Sequence, residues 1–90
     1  MIELICSLDE HSQYYEWSCV EIGRDSDSGD LFFRYGSGCS CDCIQDYPWC
    51  GLNCEQALAG LLSYVDNMKV SPTDRVEFIS EVQSLFKRRK

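Results

Sequence analysis

Five of the seven cysteines lie close together near the middle of the 90-residue chain. They are Cys39, Cys41, Cys43, Cys50 and Cys54. Thiolates bind zinc tetrahedrally, and four ligands from one loop would anchor that loop in a domain too small to bury a large core. The preferred quartet is Cys39, Cys41, Cys50 and Cys54, with Cys43 in reserve. Because the chain lacks the Cys-x-x-Cys spacing typical of structural zinc sites, free packed thiols and a disulfide stay open as alternatives.

Two aromatic residues, Tyr47 and Trp49, lie among these cysteines. Exposed aromatic side chains on a cross-linked loop would form a hot spot for protein binding. We therefore predict that Tyr47 and Trp49 bind a protein partner. The alternative is that both side chains fold back over the cysteines and help to close the core.

The sequence contains no recognisable catalytic set, and we predict that the protein is not an enzyme. His11 is the only histidine, and it lies in a polar segment that nothing in the sequence connects to the cysteine loop. The glycines of Gly36-Ser37-Gly38 lack the spacing of a phosphate-binding loop, and no helix pattern follows them. A cysteine-based redox or nucleophilic enzyme is kept as an alternative.

The net charge of −7 is distributed unevenly along the chain. Residues 1–54 carry ten acidic residues and two basic ones, whereas residues 55–90 carry five acidic and six basic residues. An acidic first half repels phosphate backbones, so a nucleic-acid partner is disfavoured, and an acidic face would suit a basic protein partner. The basic residues at 87–90 are expected to stabilise the end of a helix.

No apolar run approaches the roughly 18 residues that a membrane span requires. Glu3 interrupts the first apolar stretch, so we expect no signal peptide and a cytoplasmic protein. In a reducing cytoplasm the cysteines would be free thiols or metal ligands, and their odd number excludes complete pairing within one chain.

The elements that must position these residues follow from the pattern of apolar and turn-forming residues. Period-two stretches predict strands at 2–8, 14–22 and 31–35, the last two joined by an acidic hairpin turn at 24–30. Helical spacing predicts a helix at 54–68 with Asn53 as its N-cap. A second helix should begin at Pro72, with Ser71 as its N-cap.

The predicted fold is therefore α+β: about three antiparallel strands, a Cys-rich loop, and two C-terminal helices packed on one face of the sheet. We expect a single domain over residues 1–90. Its parts are the sheet at 1–36, the loop at 37–52 and the helices at 53–90.

The order of these motifs resembles a family of small uncharacterised proteins encoded by actinobacterial phages. The resemblance covers residues 14–50: an aromatic strand ending at Val20, an acidic turn, the strand Leu31–Tyr35, and a Gly-Cys-Ser-Cys motif from Gly38 to Cys41. Cys43 departs from the family pattern, and Cys50 and Cys54 are additions to it. A four-cysteine metal site would then not be shared by the family.

What the resemblance implies is a phage-encoded accessory protein in a bacterial cytoplasm. Together with the small size and the missing catalytic set, it leads to one functional prediction: a non-enzymatic accessory protein that binds a host or phage protein. The first alternative is a small binding module stabilised by zinc. Neither a nucleic acid nor a membrane is expected as a partner, and the chain is expected to be a monomer or a homodimer.

Overall fold

The computed structural model describes residues 1–11, 17–38 and 44–88, with only the backbone described for His11. It contains four strands, namely β1 (Ile2–His11), β2 (Trp17–Asp25), β3 (Leu31–Gly38) and β4 (Cys50–Gly51). Two helices follow, α1 (Glu55–Asp66) and α2 (Pro72–Arg88). The predicted α+β class, with an antiparallel sheet followed by two C-terminal helices, is confirmed. The sheet has four strands where about three were predicted.

The strands lie side by side in chain order, and every neighbouring pair is antiparallel. β2 and β3 form the predicted hairpin, in which Val20 lies opposite Tyr35 and Glu21 lies opposite Arg34. The turn closes through a hydrogen bond of 2.8 Å from the Gly29 backbone N–H to the Asp25 carbonyl. Gly29 has a φ of 77°, a left-handed conformation that glycine adopts without steric cost.

The first strand is longer than predicted and contains an irregularity. The pairing of β1 with β2 shifts by one residue between Leu4 and Cys6, which leaves Ile5 as the extra residue of a β-bulge. Leu4 lies opposite Gly23, whereas Ile5 and Cys6 both pack against the hydrophobic core. The bulge therefore turns two successive side chains towards the same side of the sheet.

The fourth strand lies inside the segment that was predicted to be an irregular loop. Cys50 pairs with Phe33, Gly51 pairs with Phe32, and the Leu52 N–H donates to the Leu31 carbonyl at 2.9 Å. A short 3-10 helix (Ile44–Asp46) precedes this strand. Two paired residues are too few to produce a period-two pattern, which is why the sequence did not reveal β4.

The two helices begin within one residue of their predicted starts. The Asp74 backbone N–H donates to the Ser71 hydroxyl at 3.1 Å, so the predicted N-cap of α2 is confirmed. The predicted N-cap Asn53 is wrong, because Cys54 occupies that position and makes no capping hydrogen bond with its side chain. Neither described helix combines the length and the apolar character that crossing a lipid bilayer requires.

The hydrophobic core lies between the sheet and the two helices. Val20 and Ile22 of β2 are fully buried against residues such as Leu61 and Val65 of α1 and Val82 of α2. We call this side of the sheet the helix face. Each of these side chains contributes roughly 1.5–3 kcal/mol through removal from water, which makes this core the main source of stability.

The opposite side of the sheet, which we call the far face, is also covered along part of β2. Cys19, Glu21 and Gly23 alternate with the core residues and are nevertheless buried. The prediction that this strand is half-buried is therefore wrong for its central residues. Its first three predicted residues, 14–16, lie outside the described part of the chain.

Candidate functional site

The predicted metal-site cysteines are only partly within the described chain. Cys39, Cys41 and Cys43 lie outside the described residues, whereas Cys50 in β4 and Cys54 before α1 are exposed free thiols. Within residues 1–11, 17–38 and 44–88, no three His, Cys, Asp or Glu side chains are grouped so that they could hold a metal ion. The zinc site and the loop disulfide therefore stay predictions.

The two remaining cysteines lie on opposite faces of the sheet and are poor nucleophiles. Burial, with a smaller contribution from the charge of Glu81, raises the pKa of Cys6 to about 11. Burial and a hydrogen bond with Asp9 raise the pKa of Cys19 even further. Because the thiolate is the reactive form of cysteine, both side chains are protonated and unreactive at neutral pH.

The far face contains an ion pair that the sequence did not reveal. The Nε–H of Arg34 donates to Oε1 of Glu21 at 2.7 Å, and the two side chains are only 12% and 10% exposed. The residues lie directly opposite each other on β3 and β2. Arg34 also donates from Nη1 to the Tyr47 carbonyl at 3.3 Å. This arginine therefore connects the sheet to the segment that follows it.

Tyr47 and Trp49, the predicted partner-binding residues, are half-buried on the far face. The Trp49 ring covers the Arg34 guanidinium, whose Cζ lies 4.1 Å from the ring centroid. The Tyr47 ring lies on Gly36, where a Cβ atom would come within 2.4 Å of it, and its hydroxyl donates to the Ser37 carbonyl at 3.0 Å. Both aromatics thus cover the ion pair and the sheet, and their binding to a partner stays a prediction.

An apolar surface surrounds Gly23 on the far face, beside Trp49. Leu4 and Phe32 lie opposite Gly23 on the two neighbouring strands. A Cβ atom placed on Gly23 would come within 2.6 Å of Ile2 and 3.2 Å of Trp49. We call Ile2, Leu4, Phe32 and Trp49 the Gly23 patch. Leu4 is 56% exposed, and the other three residues are half-buried.

Acidic residues lie at one end of this patch, in the β2–β3 turn. They are Asp25, Asp27 and Asp30. Asp25 accepts a hydrogen bond of 2.8 Å from the Asp27 backbone N–H, and this bond lowers the pKa of the Asp25 carboxyl. Asp25 is therefore ionised at neutral pH. The N-terminal ammonium of Met1 lies 3.5 Å from Asp25 and 3.7 Å from Asp27, so the border contains three carboxylates and one positive group. The arrangement is an apolar centre with a charged, mainly acidic border, and a polar rim around an apolar centre is a common anatomy for protein interfaces.

Sequence reasoning identified Trp49 and the acidic turn but did not identify Ile2, Leu4 and Phe32 as surface residues. One signal was present: Gly23 is an isolated glycine inside a strand pattern, which often marks a place where other groups approach the backbone closely. The register of strand pairing determines which residues of the neighbouring strands lie beside Gly23, and the sequence did not specify that register.

Comparisons with protein families, with curated proteins and with solved structures found no match to this chain. The functional assignment therefore depends on the geometry described above and on the chemistry of these side chains.

Proposed function

We propose that this chain is a non-enzymatic, phage-encoded accessory protein that works in the cytoplasm of a bacterial host. In this proposal it binds a host or phage protein through the Gly23 patch. The observation that carries the proposal is the continuity of the patch, since all four side chains adjoin one glycine. A contiguous apolar surface on a small protein is commonly an interaction site, whereas single exposed apolar residues are ordinary.

The charge around the patch defines the chemistry of the partner. The acidic β2–β3 turn borders the patch, and the whole chain carries a net charge of −7. Opposite charges across an interface steer association and disfavour wrong partners. We infer a partner whose contact surface has an apolar centre surrounded by lysine or arginine side chains.

A catalytic role for the two sheet cysteines is disfavoured by their surroundings. Cys6 and Cys19 are held as neutral thiols by burial and by nearby acidic groups. A cysteine enzyme needs a thiolate in an electropositive, accessible setting. The surroundings of these two thiols have the opposite character.

The proposal is tested with Leu4→Ser and a matched control, Val76→Ser. Val76 is also an exposed apolar residue, at 66%, but it lies on α2, away from the Gly23 patch. Immobilised wild-type and variant proteins are exposed to lysate of phage-infected actinobacterial cells, and retained proteins are identified by mass spectrometry. The retained protein is then purified and titrated by calorimetry at low and at high salt.

We expect Leu4→Ser to weaken binding by about tenfold to a hundredfold, because one buried leucine contributes about 1.5–3 kcal/mol. Asp27→Lys should weaken binding more at low salt than at high salt, because ions at high salt already screen the attraction that this substitution removes. Val76→Ser should bind like the wild type, and all three variants should keep the wild-type unfolding midpoint. A partner bound equally well by Leu4→Ser and Asp27→Lys would refute the proposed surface, and so would the absence of any retained protein.

A further inference from the structure

A cleft on the helix face lies on the side of the sheet opposite the Gly23 patch. It has a volume of about 750 Å³ and lies between the paired ends of β2 and β3 and one side of α1. Small-molecule sites in proteins usually measure roughly 300–1,000 Å³. We propose that this cleft binds a small, uncharged ring compound rich in hydroxyl groups, such as a sugar or the ribose of a nucleoside.

One wall of the cleft is held rigidly by hydrogen bonds and ring stacking. The Tyr64 hydroxyl donates to the Gly36 carbonyl at 3.0 Å. Because a phenol has a single proton, the hydrogen bond between Tyr64 and Ser18 must be donated by the serine. The Tyr64 ring also stacks on Tyr35, with centroids 4.4 Å apart. A wall fixed in this way requires little ordering when a ligand binds.

The polar groups that line the cleft suit hydroxyl groups as ligands. Ser37 and Ser63 provide hydroxyls, and Asn67 provides an amide. Glu10 accepts the Lys69 backbone N–H at 2.7 Å through Oε1, and a carboxylate has further lone pairs that can accept from a ligand hydroxyl. Among the described residues that line the cleft, Glu10 is the only charged one. A phosphate or carboxylate ligand would therefore meet the negative charge of Glu10.

Gly60 leaves the backbone of α1 accessible from the cleft, because it is an exposed helix residue without a side chain. It lies in the middle of α1 and lines the cleft, and glycine there costs about 1 kcal/mol relative to alanine. A Cβ atom built on Gly60 would meet no heavy atom of the described chain within 4 Å. Packing within the described residues therefore does not require glycine. A glycine that exposes the helix backbone to a cleft allows a bound molecule to approach that backbone closely.

The proposal is tested by titrating the isotopically labelled protein, followed by NMR, with three probes. Adenosine represents the nucleoside source, methyl glucoside represents the sugar source, and adenosine monophosphate is the anionic counterpart of adenosine. We expect one of the uncharged probes to shift the backbone amide signals of Ser63, Tyr64 and Asn67 in a saturable manner. Adenosine monophosphate should bind several-fold more weakly than adenosine, because its phosphate is repelled by Glu10 and by the net charge.

Two variants at one position supply the control. Gly60→Leu places a side chain in the cleft, and Gly60→Ala leaves the cleft open. Both should raise the unfolding midpoint, because both remove a glycine from a helix interior, but only Gly60→Leu should abolish the saturable shifts. Leu4→Ser should leave probe binding unchanged, which separates this site from the protein-binding surface.

Three results would overturn the proposal. The first is that neither uncharged probe shifts the three amide signals. The second is that Gly60→Leu binds a probe as well as Gly60→Ala does. The third is that Gly60→Leu lowers the unfolding midpoint, which would mean that the protein itself needs the space beside Gly60 for packing.

Discussion

The two faces of the sheet are stabilised by different physical means, although they share the residues of one strand. On the helix face, Val20 and Ile22 are buried by two complete helices in a cluster of apolar side chains. On the far face, Glu21 is buried beside Arg34 beneath only a short segment that carries Tyr47 and Trp49. A large helical cover provides apolar area, whereas a short cover depends on specific polar and aromatic contacts. We therefore expect the two faces to respond differently to substitution.

The largest loss of stability should come from the helix face. Ile22→Ala removes three carbon atoms from a fully buried site, and it should lower the free energy of unfolding by about 3–4 kcal/mol. Chemical denaturation followed by circular dichroism measures this change. Val76→Ala, at an exposed position, is the control and should stay within about 0.5 kcal/mol of the wild type. A loss below about 1 kcal/mol for Ile22→Ala would mean that Ile22 is not part of the hydrophobic core.

Substitution on the far face should lower the free energy of unfolding by less, and a second substitution should restore part of the loss. Arg34→Leu leaves the Glu21 carboxylate nearly buried without its partner and should cost about 2–3 kcal/mol. Replacing both residues by leucine should restore part of that loss, because no isolated charge remains. A double-mutant cycle measures the coupling, with Arg24→Leu, an exposed arginine on β2, as the control. If the effects of Arg34→Leu and Glu21→Leu add up to that of the double variant, the ion pair does not stabilise this face.

A further effect should appear at alkaline pH, where the unfolded chain loses the proton of one thiol from each face. The unfolded chain loses the Cys6 proton near pH 9, whereas the folded chain keeps it until about pH 11. The folded state thus binds more protons in this interval, so the free energy of unfolding should fall as the pH rises through it. Cys19, whose pKa is also raised, should add to this fall from the far face.

Denaturation of wild type, Cys6→Ala and Cys19→Ala between neutral pH and pH ~11 measures the contribution of each thiol. The stability of each variant at alkaline pH is compared with its own stability at neutral pH, so that the cost of removing the thiol group cancels. We expect a shallower alkaline fall in both variants, and a smaller remaining slope in Cys19→Ala because Cys19 is the more deeply buried thiol. Three identical slopes would contradict the raised pKa values.

The contrast between the two faces also explains what the sequence could predict. The helices were predictable because apolar residues recur at helical spacing, as Leu61 and Val65 do in α1 and Phe78 and Val82 do in α2. The start of α2 is also marked clearly by Ser71 and Pro72. The β2–β3 hairpin was predictable because an acidic, glycine-containing turn separates two aromatic strands. These features depend on residues that are close together in the sequence.

The far face was not predictable, because its contacts join residues that have no shared pattern. Glu21 is an ordinary surface residue by type, and only the register opposite Arg34 makes it half of a nearly buried pair. The Gly23 patch combines residues of β1 and β3 with Trp49, which precedes β4, around a glycine of β2. The cleft depends in the same way on α1 crossing the ends of β2 and β3. Register and helix placement are tertiary properties that single-residue periodicity does not encode.

The order of the strands in the sheet has a consequence for the kinetics of folding. Each strand pairs with its neighbour in the chain, so the sheet can grow by successive local hairpins with small entropic barriers to loop closure. The contact between α2 and β1 is different, since it joins the last element of the fold to the first. This late, long-range closure should control the rate at which the chain reaches its native state, while the meander itself forms quickly.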